Sequence, residues 1–266
     1  MGVWINSFKI AFSMYSKIPM PQSEWTEENQ RYVMCFFPLV GLVIGGLIFI
    51  WHLFYEIMPL KKGVGEIFFA ALVILISMTV SGGIHADGFL DTQDALSSYA
   101  SREKKLEILK DPRAGAFAII SGIVYFLLYL ATYSQLVSFG KGDEAIWILL
   151  ALSFVLSRAF SGLSVVSFPL AKNSGLLAMF KDRAKRGVVK MWMLGYIFIT
   201  GGVSMWISPI YGGLIILTFL LVFLYYYRMS KKTFGGITGD IAGWFVQVSE
   251  CFVPMVVLFA RCLLYR

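Results

Sequence analysis

Asp87, Asp91 and Asp94 stand at i, i+4 and i+7 in the stretch His85-Ala86-Asp87-Gly88-Phe89-Leu90-Asp91-Thr92-Gln93-Asp94. On a helix this spacing puts the three carboxylates within about 60° of one another. Like charges that close repel, and they are tolerated together only when spread in water or neutralised by a cation. A solvated helix surface would use the same residues, favoured by the dipole at a helix N-terminus. The context favours a cation. The chain has 16 Asp and Glu, three of them fall in these eight positions, and an apolar run ends just upstream at Ser81. Carboxylates suit a hard divalent ion such as Mg2+, with substrate phosphates completing its shell. Asp87, Asp91 and Asp94 are therefore the candidate metal ligands. His85 precedes them, and spacing alone does not make it a ligand.

Two other motifs could serve phosphate chemistry. In Lys110-Asp111-Pro112-Arg113-Ala114-Gly115, Arg113 offers a planar fork suited to phosphate and Lys110 a point charge. Ordinary basic residues beside lipid headgroups would look the same in isolation. Asp111 is either a fourth carboxylate or the group that orients Arg113. In Thr233-Phe234-Gly235-Gly236-Ile237-Thr238-Gly239-Asp240, three glycines in five positions free the backbone for positive φ and for close approach to a ligand. Successive amides there could cradle an anionic oxygen, and Thr238 and Asp240 add a hydroxyl and a carboxylate. A junction capping two helices would use the same residues. Arg158 and Glu250 are ionisable residues inside apolar runs, costly against lipid and so expected to face the interior, toward the site or each other.

The elements that must position these groups are membrane helices. The chain has 266 residues, 58% of them hydrophobic and only 15% charged, where a soluble domain carries about a quarter charged residues. Long apolar runs predict about seven transmembrane helices: Tyr32–Tyr55, Ile67–Ser81, Ala114–Val137, Ala145–Pro169, Val188–Ile207, Ile210–Tyr227 and Ile241–Leu264. The expected fold is all-α, a polytopic helical bundle forming one integral membrane catalytic domain over residues 1–266. Val3–Lys9 lacks a cleavage pattern and reads as part of an N-terminal interfacial helix rather than a signal peptide. Arg102–Lys110 reads as an amphipathic helix capped by Ser101 and ended by Pro112. Cys35, Cys251 and Cys262 lie in apolar runs without CxxC spacing, so they suggest neither a disulfide framework nor a thiolate metal site and read as buried packing residues.

The formal charge of +7 is a matter of topology, not of nucleic-acid binding. With seven spans, 17 of the 23 Lys and Arg fall on one side, among them Lys17, Arg102, Lys110, Arg113, Lys172 and Lys231. Lys61, Lys62, Lys141, Arg261 and Arg266 fall on the other. The positive-inside bias puts the N-terminus and both polar motifs on the cytoplasmic face. Motifs far apart in sequence then share one site.

The same residues carry a resemblance. Gly82-Gly83-Ile84-His85-Ala86-Asp87-Gly88-Phe89-Leu90-Asp91-Thr92-Gln93-Asp94 and the block ending Lys110-Asp111-Pro112-Arg113-Ala114-Gly115 resemble the adenosylcobinamide-GDP ribazoletransferase, or cobalamin synthase, family. So do Lys17-Ile18-Pro19-Met20-Pro21, Phe37-Pro38-Leu39-Val40-Gly41, Ala171-Lys172 with Gly175-Leu176, and Gly235-Gly236-Ile237-Thr238-Gly239-Asp240 with Glu250, in colinear order. Ala95, Pro112 and Lys17 depart from the pattern without removing a group able to bind metal or phosphate.

The resemblance implies a Mg2+-dependent transferase of a prokaryotic plasma membrane. It would join adenosylcobinamide-GDP to α-ribazole or its 5′-phosphate, release GMP and complete the cobalamin nucleotide loop. It implies catalytic roles for His85, Asp87, Asp91, Asp94 and Asp111. Substrate contacts would come from Gly88, Lys110, Arg113, Arg158, Gly235, Gly236, Thr238, Gly239, Asp240 and Glu250. The proton acceptor is left open among Asp111, Asp240 and His85, and association of copies is left open too. A CDP-alcohol phosphatidyltransferase also spaces Asp residues along a helix, but its pattern of a DG pair followed by AR is absent. A cation transporter would use Arg158 and Glu250 as a path, yet the polar motifs gather at one face rather than at mid-membrane.

Overall fold

A computed structural model describes residues 2–57, 65–139, 144–172 and 175–264. The apolar runs form helices, and among the described residues there is no strand, only one isolated bridge between Leu170 and Ile237. In chain order the helices are α1 Val3–Tyr15, α2 Glu27–Gln30, α3 Phe37–Ile57, α4 Gly65–Ser81, α5 Ile84–Ser97 and α6 Arg102–Ile108. They continue with α7 Ala116–Phe139, α8 Glu144–Ser167, α9 Leu176–Arg183, α10 Arg186–Ile207, α11 Pro209–Met229 and α12 Gly239–Leu264.

Six of these are long and apolar enough to cross a membrane. The predicted second span is the exception. α4 passes that test only together with α5, and the two are bent by 97°. Counting the bent pair as one span gives the predicted seven. The elbow is Gly82 and Gly83, both in the left-handed region at φ 65° and 74°, which a glycine enters at no steric cost. Lys17 packs into the elbow: its amide donates to Val80 O at 2.8 Å, and a Cβ on Gly82 would lie 2.6 Å from Lys17 Cε.

α8 and α12 are the centre of the bundle, with 78% and 72% of their apolar windows buried, against 28% for α10 and α11. The outer helices turn Leu127, Phe198, Trp206, Leu217 and Leu221 outward, a continuous apolar exterior of the kind a bilayer covers. α3 lies close against α8 because Gly41 and Gly45 carry no side chain there. A Cβ on either would run into the backbone of Phe154 or Ala151.

One end of the bundle gathers the polar motifs. The starts of α3, α7, α10 and α12 meet the ends of α4, α8 and α11 there. The contacts include Phe37 against His85, Lys185 N donating to Arg31 O at 3.1 Å, and Ser164 Oγ with Tyr226 OH at 3.1 Å. This is the alternation predicted from the charge pattern. α1 closes that end through buried Ile10, Ala11, Phe12 and Tyr15, while Trp4 and Ile5 stay exposed. On the other side, Lys61, Lys62, Lys141 and Arg266 lie outside the described residues, and Arg261 is buried within α12 instead of standing in a loop.

Candidate active site

Beyond the glycine elbow, α5 turns across the end of the bundle and carries Asp87, Asp91 and Asp94 along one face. The opposite face (Phe89 and Thr92) is buried. Two glycines decide how near α12 comes. A Cβ on Gly88 would lie 2.7 Å from Asp240 Cα, and one on Gly243 would lie 3.2 Å from His85 Cα. The crossing brings Asp240 up to the acid row. Asp91 registers the result. Its carboxyl is pushed up to about 6, first by burial and then by Asp87, Asp240 and Asp94. Among the described residues no Lys or Arg forms an ion pair with any of the four.

Asp240 is held at the head of α12. Thr238 Oγ1 donates to Asp240 Oδ2 at 3.2 Å and accepts from Ile241 N at 3.3 Å, which caps the helix. On the far side of the crossing, Trp244 Nε1 donates to Gln93 Oε1 at 3.0 Å. These bonds fix the register of α12 on α5.

A cavity of about 310 Å3 opens beside this crossing. His85, Asp87, Lys110, Thr238, Gly239 and Asp240 all line it, so three sequence-distant motifs meet at one place. Lys172 also lines it and is the main charged lining residue that motif reading left out of the site. Burial and the neighbouring Lys110 ammonium lower its pKa. Two adjacent ammonium groups facing carboxylates across a cavity mouth suit an anionic ligand. The available sequence signal was Lys172 in the basic loop after α8, but nothing in spacing said that the loop folds back.

It folds back because residues 169–171 pair with the glycine-rich turn. Ile237 N donates to Pro169 O at 2.9 Å and Ala171 N to Ile237 O at 3.0 Å. Gly235 and Gly236 have φ of 79° and 158°, and a Cβ on Gly236 would collide with Leu170. Their freedom serves this backbone approach, and neither lines the cavity. The Arg102 guanidinium covers Gly235 from the start of α6, which is capped by Ser101 as its sequence predicts.

Other predicted site residues stand apart from the cavity. Asp94 lies against Gly115, whose lack of a side chain makes room for its carboxylate. The acid row thus runs from the cavity mouth at Asp87 outward to the Lys110–Gly115 loop. Asp111 accepts from Arg113 Nε and Nη2, each at 2.9 Å. That pairing, with the Arg113 amide, pulls the Asp111 carboxyl down to about 2. The pair is exposed and outside the cavity lining, so Asp111 is the partner that orients Arg113. Gly88 is a helix-crossing residue. Arg158 and Glu250 are both fully buried between α8 and α12, ion-paired through Arg158 Nη1 and Glu250 Oε1, with Ser157 Oγ donating to Glu250 Oε1 at 3.0 Å. Neither reaches the cavity. His85 is buried, and burial, then Arg158, lowers its pKa to about 3, which leaves it neutral and weakly basic.

The donor set fits a divalent ion on charge grounds. Asp91 feels the charge of Asp87, Asp240 and Asp94, none of the four is ion-paired among the described residues, and a hard oxygen-seeking ion would offset that charge. Among the described residues no group of three His, Cys, Asp or Glu is placed to hold a metal ion by itself. Mg2+ does not need such a group, because it keeps several waters and takes one or two carboxylates together with substrate phosphates.

A family model described as cobalamin-5-phosphate synthase matches residues 7–258. The chain belongs to this family. Three similar curated relatives are named adenosylcobinamide-GDP ribazoletransferase. One from Lachnoclostridium phytofermentans is 48% identical, with 97% of this chain and 95% of the relative aligned. Another, from Clostridium perfringens, is 32% identical over 94% of this chain and 96% of its own length. A third, from Halalkalibacterium halodurans, is 29% identical over 94% of each. No solved structure matches the chain. Family membership and the all-α membrane bundle thus agree with the resemblance read from the motifs, and the match spans both polar motifs and the helices that bring them together.

Proposed function

We propose that this chain is an adenosylcobinamide-GDP ribazoletransferase acting at the cytoplasmic face of a prokaryotic plasma membrane. The reaction joins the GDP-activated corrinoid to α-ribazole or its 5′-phosphate and releases GMP, closing the nucleotide loop of cobalamin. A ribose hydroxyl oxygen attacks the corrinoid-side phosphorus, one P–O bond forms, and the anhydride P–O bond breaks with its electron pair leaving on GMP. The observation that supports this reading best is that Asp87 and Asp240 share one cavity mouth with Lys110 and Lys172, with the acid row running on from Asp87 through Asp91, in a chain of this family.

Phosphoryl transfer asks the protein mainly for positioning and charge balance. Mg2+ held by Asp87, Asp91 and Asp94 would offset charge on the diphosphate and on departing GMP. Lys110 and Lys172 attract the anionic donor to the mouth, and the exposed Arg113 fork stands at the outer end of the acid row. Asp240 is the best acceptor for the hydroxyl proton, because it lines the mouth beside Asp87 and is outside the proposed ligand trio. Asp111 is committed to Arg113, and burial has made His85 a poor base. The elbow, the Gly88 crossing and the Thr238 cap hold these groups in register.

The test is GMP release by the purified chain in detergent, given donor and acceptor. Mg2+ should be required, and Asp91→Asn should lower turnover by at least about a hundredfold, the scale of losing a transition-state electrostatic contact. Its elution and melting should stay like the parent's. Full turnover under chelation, or near-parental turnover by Asp91→Asn, would overturn the metal role.

A further inference from the structure

The cavity beside the α5–α12 crossing has two chemically different halves. Its mouth is open and polar, with Asp87, Lys110 and Gly239 exposed and Lys172, Thr238 and Asp240 half-buried. Its inner wall is buried and apolar. Met34, Phe37, Val165, Phe180 and Ile237 are each no more than 2% exposed. A diphosphate and its counter-ions belong at the mouth. The inner wall is unsuited to either, because charge transferred there would lose its hydration without replacement.

Two polar atoms interrupt this inner wall. His85 is 5% exposed, and its Nε2 has no hydrogen-bond partner. The ring sits among Tyr15 and Phe37, with centroids at 6.4 Å and 5.6 Å. Ser161 is 3% exposed, and its Oγ reaches only Ala242 O at 3.5 Å, the limit of a hydrogen bond. A buried polar atom left without a partner is costly and uncommon in folded proteins. His85 and Ser161 both line the cavity, so a ligand entering it can offer His85 Nε2 a partner and Ser161 Oγ a better one.

Size and polarity select the ligand. A volume of about 310 Å3 is at the low end of small-molecule sites and far too small for a corrinoid macrocycle. Guanine carries donors and acceptors around its rim, and an apolar wall would leave most of them unpaired. The base of α-ribazole is a flat, methylated bicycle with a single free ring nitrogen, an acceptor. Resting on the transferase reading above, we propose that the inner wall seats this base. Its free nitrogen, with one lone pair, accepts from Ser161 Oγ, with the Nε2–H of neutral His85 beside it as a second donor, and Met34, Phe37 and Val165 enclose its rings. The ribose then lies at the mouth, with its hydroxyls toward Asp87 and Asp240. Burial of the base is what directs the nucleophile.

The experiment measures KM for α-ribazole and for the GDP donor separately, in the full chain with Mg2+. Val165→Phe narrows the inner wall and should raise the acceptor KM by at least about tenfold, the usual penalty for a misfitted apolar pocket, with the donor KM unchanged. Val165→Ala widens the wall with less risk to folding. It should improve a nucleoside bearing a larger apolar bicycle relative to α-ribazole. Ser161→Ala should raise the acceptor KM alone. A rise in the donor KM with the acceptor KM constant would put guanine in the cavity and overturn the proposal. Unchanged acceptor KM values in folded variants would overturn it as well. Failure of the parent chain to release GMP would instead refute the transferase reading itself.

Discussion

Asp240 and Glu250 lie on the same helix, about 15 Å apart along its axis at 1.5 Å per residue, and the fold treats their charges in opposite ways. Glu250 is sealed between α8 and α12 and neutralised by Arg158, with side chains 1% and 0% exposed. Asp240 stands at the end of the bundle near Asp87 and Asp91, with no ion pair to a Lys or Arg among the described residues. In the membrane interior a lone charge has no water to solvate it, so it is paired. At the bundle end water is available, and a cluster of like charge persists in readiness for an ion or ligand. Charges with a partner there, such as Asp111 with Arg113, stand outside the cavity. The unneutralised group marks chemistry and the neutralised one marks architecture.

Removing one member of the buried pair should produce the largest effect. Glu250→Leu strands Arg158 and should cost about 3–5 kcal/mol of stability, read as a large drop in detergent melting temperature and yield. Exchanging both residues, Arg158→Met with Glu250→Leu, should recover most of that stability, because well-packed apolar replacements of a buried pair are often neutral. Recovery of stability with GMP release would establish the pair as structural. Recovery of stability without GMP release would mean that the charges also serve the site, and the contrast with Asp240 would fail.

A smaller effect is expected at the crossing that joins the two kinds of charge. Gly88→Ala adds a Cβ 2.7 Å from Asp240 Cα, and overpacking of this kind typically costs about 1–3 kcal/mol. α5 and α12 must separate, so Mg2+ affinity and turnover should fall together. Retention of both would show that the distance between Asp240 and the acid row does not matter.

The smallest effect is a pH dependence. The Asp91 carboxyl is raised to about 6 from an ordinary value near 3.9. Between those values the folded state holds more protons than the unfolded one, so stability falls as pH rises through the window. Melting in EDTA should therefore drop from about pH 4 to pH 7, and Mg2+ should restore it most at the upper end. A pH-independent effect of Mg2+ would mean that the ion binds away from Asp91.

Much was legible because it is local. Apolar run length predicts a membrane helix wherever it occurs, and α3, α7, α8, α10, α11 and α12 follow their predicted spans closely. The i, i+4, i+7 spacing fixes a shared helix face whatever α5 packs against. The alternation of basic loops is a count along the chain, and it put both polar motifs at one end of the bundle. Ser101 caps α6 through its own neighbour Lys104.

What only the tertiary structure decided depends on contacts between distant segments. The 97° elbow turns the second span's continuation across the bundle end, which apolar length alone could not reveal. Gly88, a substrate contact by resemblance, and Gly243, which no motif singled out, are where two helices touch. Gly235 and Gly236 serve the backbone pairing that carries Lys172 to the cavity. Arg158 and Glu250, legible as costly intramembrane charges, became a closed pair only when α8 met α12. Residue chemistry says which groups need a partner. The approach of backbones, permitted here by absent side chains, says which partner each one finds.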